Sequence, residues 1–287
     1  MEEEQVGKTF KKIMVKNNKK SFFDNNGYFL LRKLFSDEEC KKLRLEINRH
    51  FKLPLRELKQ NDINFRTFVE PDGVTKNKKF WKIIFNKKIL SVIRSIIGKD
   101  ICYTQHSDLH INLGAGKYHR DNAFRLFKNG PDWYEEKQKY KVLRIAIYLS
   151  DYKTSGSSLI VFPNSNKKET FLTKIEMRFW NYLRFFWSKR LNKNYLSHFF
   201  FSSKTVNLKH KAGDCIIFDQ RMIHAGGVVN GDLPKYSIFL SFGAKNNLHT
   251  NNHHKYYLSR PTYLRKIPIE LKKRLKDSKL LLTSKKI

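Results

Sequence analysis

From residue 101 onward, the sequence is a succession of short β-branched or aromatic segments separated by Gly, Asp, Asn and Pro. These segments are ICYTQHSDLHINL (101–113), KVLRIAIYLS (141–150), SSLIVF (157–162), DCIIF (214–218) and KYSIFLSFG (235–243). Runs of this length and composition are typical of β-strands bounded by turns. Because they do not alternate with long helices, a parallel doubly wound sheet is not favoured. The pattern predicts an antiparallel sandwich or jelly roll.

Helical patterns precede these strands. A short apolar segment at 28–31 comes first, and Ser36 and Glu39 then have the spacing of an N-terminal capping box. A second helix is predicted at 86–98, where Gly98 is a suitable stop. The first helix would bury residues that recur at helical intervals, namely Cys40, Leu43, Ile47 and Phe51. The expected fold class is therefore α+β, with helices flanking an antiparallel β core.

The chain is strongly basic, with a formal net charge of +32 over 287 residues. Such a charge favours an anionic partner: nucleic acid, an anionic membrane surface, or a phosphorylated or acidic substrate. The alternative is compositional bias, because Lys, Asn, Ile, Phe and Tyr are all abundant. Hydrophobic residues make up 40% of the chain, which excludes a disordered protein. The three cysteines form no CxxC pair, which fits a reducing compartment.

The chain is expected to form a single domain over 21–287, preceded by a flexible segment at 1–20. The N-terminus lacks the apolar core of a secretory signal, and no apolar run approaches the length of a membrane span. We therefore expect a cytoplasmic protein, with peripheral attachment to a membrane as the alternative.

Two basic segments depart from the strand pattern. The first is a predicted helical insertion at about 171–203, which combines an apolar stripe with Arg and Lys. It is interpreted as a helix packed on the sandwich, a lid over a site, or a helix lying on an anionic membrane. The second is a predicted C-terminal helix at about 262–287, whose expected role is packing. The stripe of the insertion consists of Leu172, Ile175, Phe179, Leu183 and Phe186.

The pattern His-x-Asp occurs twice and suggests a metal site. His106-Ser107-Asp108 lies within a predicted strand, whereas His119-Arg120-Asp121 follows a glycine-containing turn at a strand end. Two imidazoles and one carboxylate on one face of a metal are the donor set of non-haem Fe(II) oxygenases. The strand end is the easier place for an open site, so the second copy is preferred. His224, between two later strands, is the candidate for the distant ligand.

Four pieces of the sequence together resemble the phytanoyl-CoA dioxygenase family of Fe(II)/2-oxoglutarate-dependent oxygenases. They are NGYFLLRKLFSDEEC, YHRDNA, LRIAIYLSDYKTSGSSLIVFPNSN and AGDCIIFDQRMIHAGGVVNGDLPKYSIFLSFG. The resemblance covers about residues 22–245, apart from the insertion. It implies a double-stranded β-helix (jelly roll) core that binds Fe(2+), the co-substrate 2-oxoglutarate and O2. It also implies that His119, Asp121 and His224 are the metal ligands and catalytic residues.

The resemblance places a lysine where the family usually has an arginine that binds the distal carboxylate of 2-oxoglutarate. That residue is Lys235, and lysine offers a point charge instead of a bidentate fork. Ser237 could add a hydroxyl group. The other candidates for the cofactor site are Asn112, Arg144 and Tyr148.

The predicted activity is hydroxylation of a small or a lipid- or phosphate-linked organic substrate by a non-haem iron dioxygenase. Peripheral contact with an anionic membrane through 171–203 is a further expectation, and nucleic acid is not favoured as a partner. The alternative function is a non-catalytic basic protein on the same scaffold that binds nucleic acid or an anionic membrane. A cupin-like isomerase is a third interpretation, but His253 and His254 lie outside the predicted barrel and do not supply its extra ligands.

Overall fold

The computed structural model describes residues 19–114, 117–133, 138–191 and 205–282. Its helices are α1 (Lys19–Asn26), α2 (Asp37–His50), α3 (Gln60–Ile63), α4 (Gly73–Lys76), α5 (Trp81–Ile84), α6 (Lys87–Ile97), α7 (Tyr152–Ser155), α8 (Phe171–Leu191), α9 (Leu248–Ser259) and α10 (Ile269–Asp277), with a 3-10 turn at Lys78–Phe80. Its strands are β1 (Tyr28–Leu31), β2 (Phe68–Pro71), β3 (Ile101–Tyr103), β4 (Asp108–Ile111), β5 (Val142–Tyr148), β6 (Leu159–Val161), β7 (Val206–Leu208), β8 (Cys215–Asp219), β9 (His224–Gly226) and β10 (Tyr236–Ala244).

The strands form two antiparallel sheets. The large, seven-stranded sheet has the order β1-β8-β5-β10-β4-β2, with β3 also pairing with β10. The small sheet has the order β7-β6-β9. An isolated antiparallel bridge between His119 and His224 adds one more segment beside β9. The predicted α+β class with antiparallel sheets is confirmed.

Alternation along β5 shows how the sheet is buried on both faces. Ile145 and Ile147 lie in the main hydrophobic core with residues of α2 and α6, whereas Ala146 and Tyr148 face the small sheet. Successive side chains of a strand point to opposite faces, so β5 separates a helix-covered layer from the region between the two sheets, which is called the inner cavity below. This inner face is where the polar residues of the site lie.

The first predicted helix begins as expected. Ser36 accepts a hydrogen bond from the backbone N–H of Glu39, and the Glu39 side chain accepts one from the backbone of Ser36. This reciprocal pair satisfies two backbone donors that the helix itself leaves without partners. The predicted capping box is confirmed, and the predicted helix ending at Gly98 corresponds to α6.

The predicted single strand over 101–113 was wrong. The chain leaves the sheet after β3 and re-enters it at Asp108, so residues 104–107 form a break. Gln105 has a positive φ of 60°, and its side chain donates hydrogen bonds to Asp72 (2.9 Å) and to the carbonyl of Leu264 (2.6 Å). A left-handed residue cannot continue a strand, and these buried contacts hold the turn in place.

The predicted insertion contains the long helix α8, while residues 192–203 of that prediction lie outside the described residues. Residues 1–18 and 283–287, which belong to the predicted N-terminal segment and C-terminal helix, also lie outside them. In the described part of the chain, no helix has the length and apolar character needed to cross a membrane.

Candidate active site

Backbone pairing brings two distant histidines side by side. The backbone N–H of His119 donates to the carbonyl of His224, and that of His224 donates to the carbonyl of His119, both at 3.0 Å. Gly114 permits this approach, because a Cβ atom there would lie 2.4 Å from the carbonyl oxygen of Gly227. A larger residue at 114 would push the segment carrying His119 away from β9.

Both imidazoles are oriented by hydrogen bonds to their own chain. Nδ1 of His119 lies 2.7 Å from the carbonyl oxygen of Lys117, and Nδ1 of His224 lies 3.0 Å from that of Met222. A carbonyl only accepts, so each Nδ1 carries the proton in the neutral ring. Each Nε2 is therefore left with a free lone pair, as a metal ligand requires.

Asp121 completes a three-residue group. Its Oδ1 lies 3.5 Å from Nε2 of His119, and its Oδ2 lies 3.6 Å from Nε2 of His224. One potential ligand atom from each residue lies within 4.8 Å of the others. Among the residues that the structure describes, this is the one group of His, Cys, Asp and Glu side chains that converges in this way.

The electrostatics of the group favour the forms that bind metals. Burial raises the pKa of Asp121, but the electrostatic effects of His224, Arg144 and His119 outweigh it, so the pKa lies well below its usual value. Burial lowers the pKa of His224 to about 4, although Asp121 opposes the shift. At neutral pH the carboxylate is therefore charged and the His224 imidazole is neutral, which are the ligand forms of both groups.

Arg144 connects this group to the large sheet. Its Nε lies 3.5 Å from Asp121 Oδ2, its Nη2 pairs with Asp108, and its Nη1 donates to the carbonyl of His106 (2.8 Å). The guanidinium also donates to Ser241 Oγ at 3.2 Å. Arg144 thus positions the Asp121 carboxylate and is not a free group facing a ligand.

The other His-x-Asp copy has a different environment. The His106 ring stacks on Tyr257 with centroids 3.5 Å apart, and its Nδ1 lies 3.1 Å from Nε2 of His253. Asp108 pairs with Arg144 and accepts a hydrogen bond from the Tyr263 hydroxyl at 3.1 Å. These contacts occupy both side chains in the packing between β4 and α9.

Lys235 is a buried cation, 3% exposed, immediately before β10. Its Nζ donates to Ser157 Oγ at 3.2 Å, and no carboxylate in the described part of the chain forms an ion pair with it. Burial alone lowers its pKa to about 8. A Cβ atom added at Gly226, two residues after His224 on β9, would lie 3.5 Å from Nζ. The ammonium group therefore lies close to the strand that carries His224.

Three other predicted cofactor residues, Ser237, Tyr148 and Asn112, lie near Lys235. Ser237 and Tyr148 are directly paired across β10 and β5, and both are buried. Ser237 Oγ has no hydrogen-bond partner among the residues that the structure describes. The Tyr148 ring centroid lies 6.0 Å from Lys235 Nζ. Asn112 has its amide engaged: it accepts from the backbone N–H of Lys235 (3.0 Å) and exchanges hydrogen bonds with Gln60. Asn112 therefore positions Lys235 through its backbone.

Three basic residues lie near the His-x-Asp motif: Arg120, Arg125 and Lys128. Arg120 is fully buried and pairs with Glu169 at 2.9 Å, so it does not face a substrate. Its guanidinium also donates to the backbone carbonyls of Ser165 and Arg221, which joins the motif to the loop before His224. Arg125 and Lys128 are exposed.

Two further buried polar residues lie near the predicted cofactor residues. Gln60, 2% exposed, bonds to Asn112 and so supports Lys235 from a second side. His110, 6% exposed, lies on β4 opposite Ser237, and its Nδ1 has no hydrogen-bond partner within the described ranges of the chain. The one signal for His110 in the sequence is its alternation with Asp108 on the same strand face.

Solved structures of similar fold include HygX from Streptomyces hygroscopicus with nickel and 2-oxoglutarate bound: 13% identity, 81% of this chain and 88% of that chain covered, and a TM-score of 0.57. The non-haem α-ketoglutarate-dependent epimerase SnoN from nogalamycin biosynthesis shares 12% identity, with 78% and 81% of the two chains covered and a TM-score of 0.53. EctD from S. alaskensis shares 16% identity, with 80% and 77% covered and a TM-score of 0.54. At these sequence identities, the similarity to the solved structures shows a shared fold and nothing more.

The family comparison is independent of this likeness. The model of the family described as Phytanoyl-CoA dioxygenase (PhyH) matches residues 23–234, and no curated protein matches the chain. The matched region contains the His119, Asp121 and His224 group and most of both sheets. The chain therefore belongs to the phytanoyl-CoA dioxygenase family and is a non-haem iron oxygenase that uses Fe(2+), 2-oxoglutarate and O2.

Proposed function

We propose that His119, Asp121 and His224 hold Fe(II) and that Lys235 and Ser237 bind the distal carboxylate of 2-oxoglutarate. The observation that carries this proposal is the convergence of the three ligand atoms within 4.8 Å, together with a buried lysine that has no acidic partner among the described residues. A two-histidine, one-carboxylate set leaves coordination positions open, as a metal that must also bind co-substrate and oxygen requires.

Iron bound in this set would supply the activation of oxygen, coupled to oxidative decarboxylation of 2-oxoglutarate. The residues of the chain do the binding and positioning. Arg144 holds the charge of Asp121 in place, and the carbonyls of Lys117 and Met222 fix the two imidazole tautomers. Lys235 neutralises the distal carboxylate at a buried position, where the ion pair is stronger than at the surface.

We infer that the two sheets form the double-stranded β-helix of the superfamily. The support is the order in which the chain visits them. β4, β5, β8 and β10 are neighbours in the large sheet, while the bridge segment at His119, β6, β7 and β9 form the small one. Along the chain these eight segments pass between the sheets as expected for a jelly roll, with the proposed metal ligands at one end.

The proposed substrate is a small organic molecule, or one linked to a lipid or a phosphate, that the enzyme hydroxylates. The His119 side chain is 29% exposed against 13% for Asp121 and 7% for His224, so the group is most accessible from the His119 side. Beyond Asp121, the exposed Phe124 and Leu126 flank an exposed Arg125. Apolar and cationic side chains together at this approach favour a substrate with an apolar part and an anionic group.

The test of the proposed function is an anaerobic titration of the protein with Fe(II) and then 2-oxoglutarate. We expect a metal-to-ligand charge-transfer band in the wild type and its loss in His119→Ala. His50→Ala is the matched control, because His50 is a half-buried imidazole on α2, away from the cavity. Absence of the band in the wild type, with iron binding unchanged in His119→Ala, would refute the proposal.

A membrane-facing role for α8 is proposed from its surface. Phe171, Leu172 and Ile175 are exposed by 76%, 60% and 47%, while Asn181 on the same helix exchanges hydrogen bonds with the backbone of Tyr118. Lys174 is exposed beside them, and the net charge of +32 is complementary to anionic lipids. Amphipathic basic helices with exposed aromatic and aliphatic residues insert at such surfaces.

Sedimentation with vesicles tests this role. We expect binding to vesicles of phosphatidylcholine with phosphatidylserine, weaker binding at high salt, and loss of binding in the double variant Leu172→Ser/Ile175→Ser. Vesicles of phosphatidylcholine alone are the lipid control, and Thr173→Ser is the matched protein control on the same helix. Equal binding by the double variant and the wild type would contradict the role.

A further inference from the structure

His110 presents a buried imidazole whose hydrogen bonding is incomplete. It lies in the middle of β4, is 6% exposed, and its Nδ1 has no hydrogen-bond partner in the described part of the chain. Buried polar side chains in folded proteins nearly always have partners, since an unsatisfied one costs about 1–3 kcal/mol. The unsatisfied Nδ1 leaves His110 able to form a hydrogen bond with a ligand that binds beside it.

The sheet register places His110 in a polar row. His110 is the direct partner of Ser237 on β10, and Ser237 is in turn the direct partner of Tyr148 on β5. Directly opposed residues of antiparallel strands lie on the same face with Cβ atoms about 5 Å apart. Ser237 Oγ is also buried, and none of the described residues forms a hydrogen bond with it. Two neighbouring side chains thus carry unsatisfied polar atoms on the cavity side of the same sheet.

Lys235 adjoins this row, two residues before Ser237. The alternation of a strand directs residues two apart to the same side, and the charges of both Lys235 and Asp121 act on His110. His110 therefore lies within electrostatic range of both proposed anchors, the metal ligand at one end and the ammonium at the other. A 2-oxo diacid bound between them would pass close to the imidazole.

A lysine alone gives fewer donors to a carboxylate than an arginine. Arginine offers a rigid fork of N–H groups that matches two oxygens, whereas the Lys235 ammonium already donates one of its hydrogens to Ser157. Both carboxylate oxygens would need further donors in a buried site. The sheet register brings His110 and Ser237 beside Lys235, and both carry unsatisfied polar atoms.

We propose that His110 donates a hydrogen bond to the distal carboxylate of 2-oxoglutarate and, with Lys235 and Ser237, replaces an arginine fork. This rests on the proposed use of Lys235 as the anchor of that carboxylate. His110 is thereby a co-substrate-binding residue that contributes to selection of a dicarboxylic 2-oxo acid.

The protonation state of His110 suits this role. Burial lowers its pKa to about 4, opposed by Asp108 and Asp121 and assisted by Arg144 and Lys235. At neutral pH the ring is uncharged and carries one N–H, which it can donate without adding charge to the cavity. The imidazole also packs on Phe239, with ring centroids 4.8 Å apart, and this contact restricts its orientation.

The experiment compares two 2-oxo acids that share the metal-binding end. 2-Oxoglutarate and 2-oxobutyrate are each titrated anaerobically into the Fe(II)-loaded full chain until the charge-transfer band saturates. The variants are His110→Phe, which keeps a ring of similar size without donors, and His110→Asn, which keeps a donor. His50→Phe is the matched control outside the cavity.

We expect His110→Phe to weaken 2-oxoglutarate binding by about tenfold or more, as loss of a hydrogen bond to a charged group does. Binding of 2-oxobutyrate, which lacks the distal carboxylate, should be unchanged, and His110→Asn should recover part of the affinity. As a second readout, the imidazole 15N signals of His110 in the Zn(II)-loaded protein should shift on addition of 2-oxoglutarate.

Two results would overturn the inference. One is equal weakening of both acids by His110→Phe, which would place His110 at the metal end or in the packing of the fold. The other is unchanged binding of 2-oxoglutarate together with unshifted 15N signals. With either result, the wild-type protein would still show the charge-transfer band. If the proposed function itself were wrong, the wild-type protein would not show the band.

Discussion

His119 and His224 exchange both backbone hydrogen bonds at 3.0 Å, and their ring centroids lie 4.4 Å apart. Residues far apart in the chain are thus set side by side by strand pairing, before any ion is considered. The separation of the two imidazoles depends on the register of the small sheet. Preorganisation of this kind lowers the free energy needed to assemble a metal site.

Replacement of Lys235 tests the anchor for the distal carboxylate. Lys235→Met should weaken 2-oxoglutarate binding by about 100-fold, because a desolvated ion pair is lost from a buried site. Lys235→Arg should retain more of the affinity, since the charge is kept. Anaerobic titration of the charge-transfer band measures both, and Lys245→Met, at the far end of β10, is the control. Unchanged affinity in Lys235→Met would exclude this anchor.

The pKa of Lys235 predicts the pH dependence of 2-oxoglutarate binding. The amine has a pKa of about 8 in the free protein, lowered by burial, so it is charged below that pH and neutral above it. Binding a dianion requires the charged form. The Kd for 2-oxoglutarate should therefore rise by up to tenfold per pH unit above about pH 8, with one proton taken up on binding.

The ionisable side chains of His110, His210 and Tyr148 do not change their protonation state near pH 8. Burial holds the pKa of His110 at about 4 and that of His210 at about 3, and it raises the pKa of Tyr148 above its usual range. Isothermal titration calorimetry in buffers of different ionisation enthalpy measures the proton uptake directly. In Lys235→Arg the dependence should disappear, because arginine stays protonated. A wild-type Kd that is flat from about pH 7 to about pH 9 would contradict the assignment of this pKa.

Arg144 should control metal affinity without being a ligand. Its guanidinium contacts both Asp121 and Asp108, so Arg144→Lys keeps the charge but cannot hold both carboxylates in the same geometry. We expect metal affinity about 10–100-fold lower, the range for loss of an outer-shell partner. Competition with a chelator provides the measurement. Arg44→Lys, a change in the ion pair with Glu57 outside the cavity, should leave metal affinity unaltered.

Asn181 anchors α8 to the segment that carries His119. Its side chain accepts from the backbone N–H of Tyr118 (2.6 Å) and donates to the carbonyl of Tyr118 (3.1 Å). Asn181→Ala should remove these two hydrogen bonds and destabilise the local contact by about 1–3 kcal/mol. Faster amide hydrogen exchange at Tyr118 is the expected readout, with exchange in β5 unchanged. Thr173→Ala, at the start of the same helix, should leave the exchange of Tyr118 as in the wild type.

The sequence by itself determined the local elements and the family. The capping box at Ser36, the helix that ends at Gly98, and the short β-rich segments follow from nearest-neighbour chemistry, because caps and side-chain alternation are properties of a few consecutive residues. The four motifs that resemble the phytanoyl-CoA dioxygenase family were also readable at this level, and the family is confirmed.

Only the tertiary structure decided which polar residues meet. Two His-x-Asp triplets have the same spacing, yet His106 lies in a break of the sheet and bonds to His253, whereas His119 pairs with His224. Arg120 has the sequence context of a surface loop but is buried against Glu169. The unsatisfied Nδ1 of His110 beside Ser237 likewise appears only with the register of β4 and β10. The physical reason is that convergence depends on hydrogen-bond register between segments far apart in the chain, and one residue of slip would reverse every side chain.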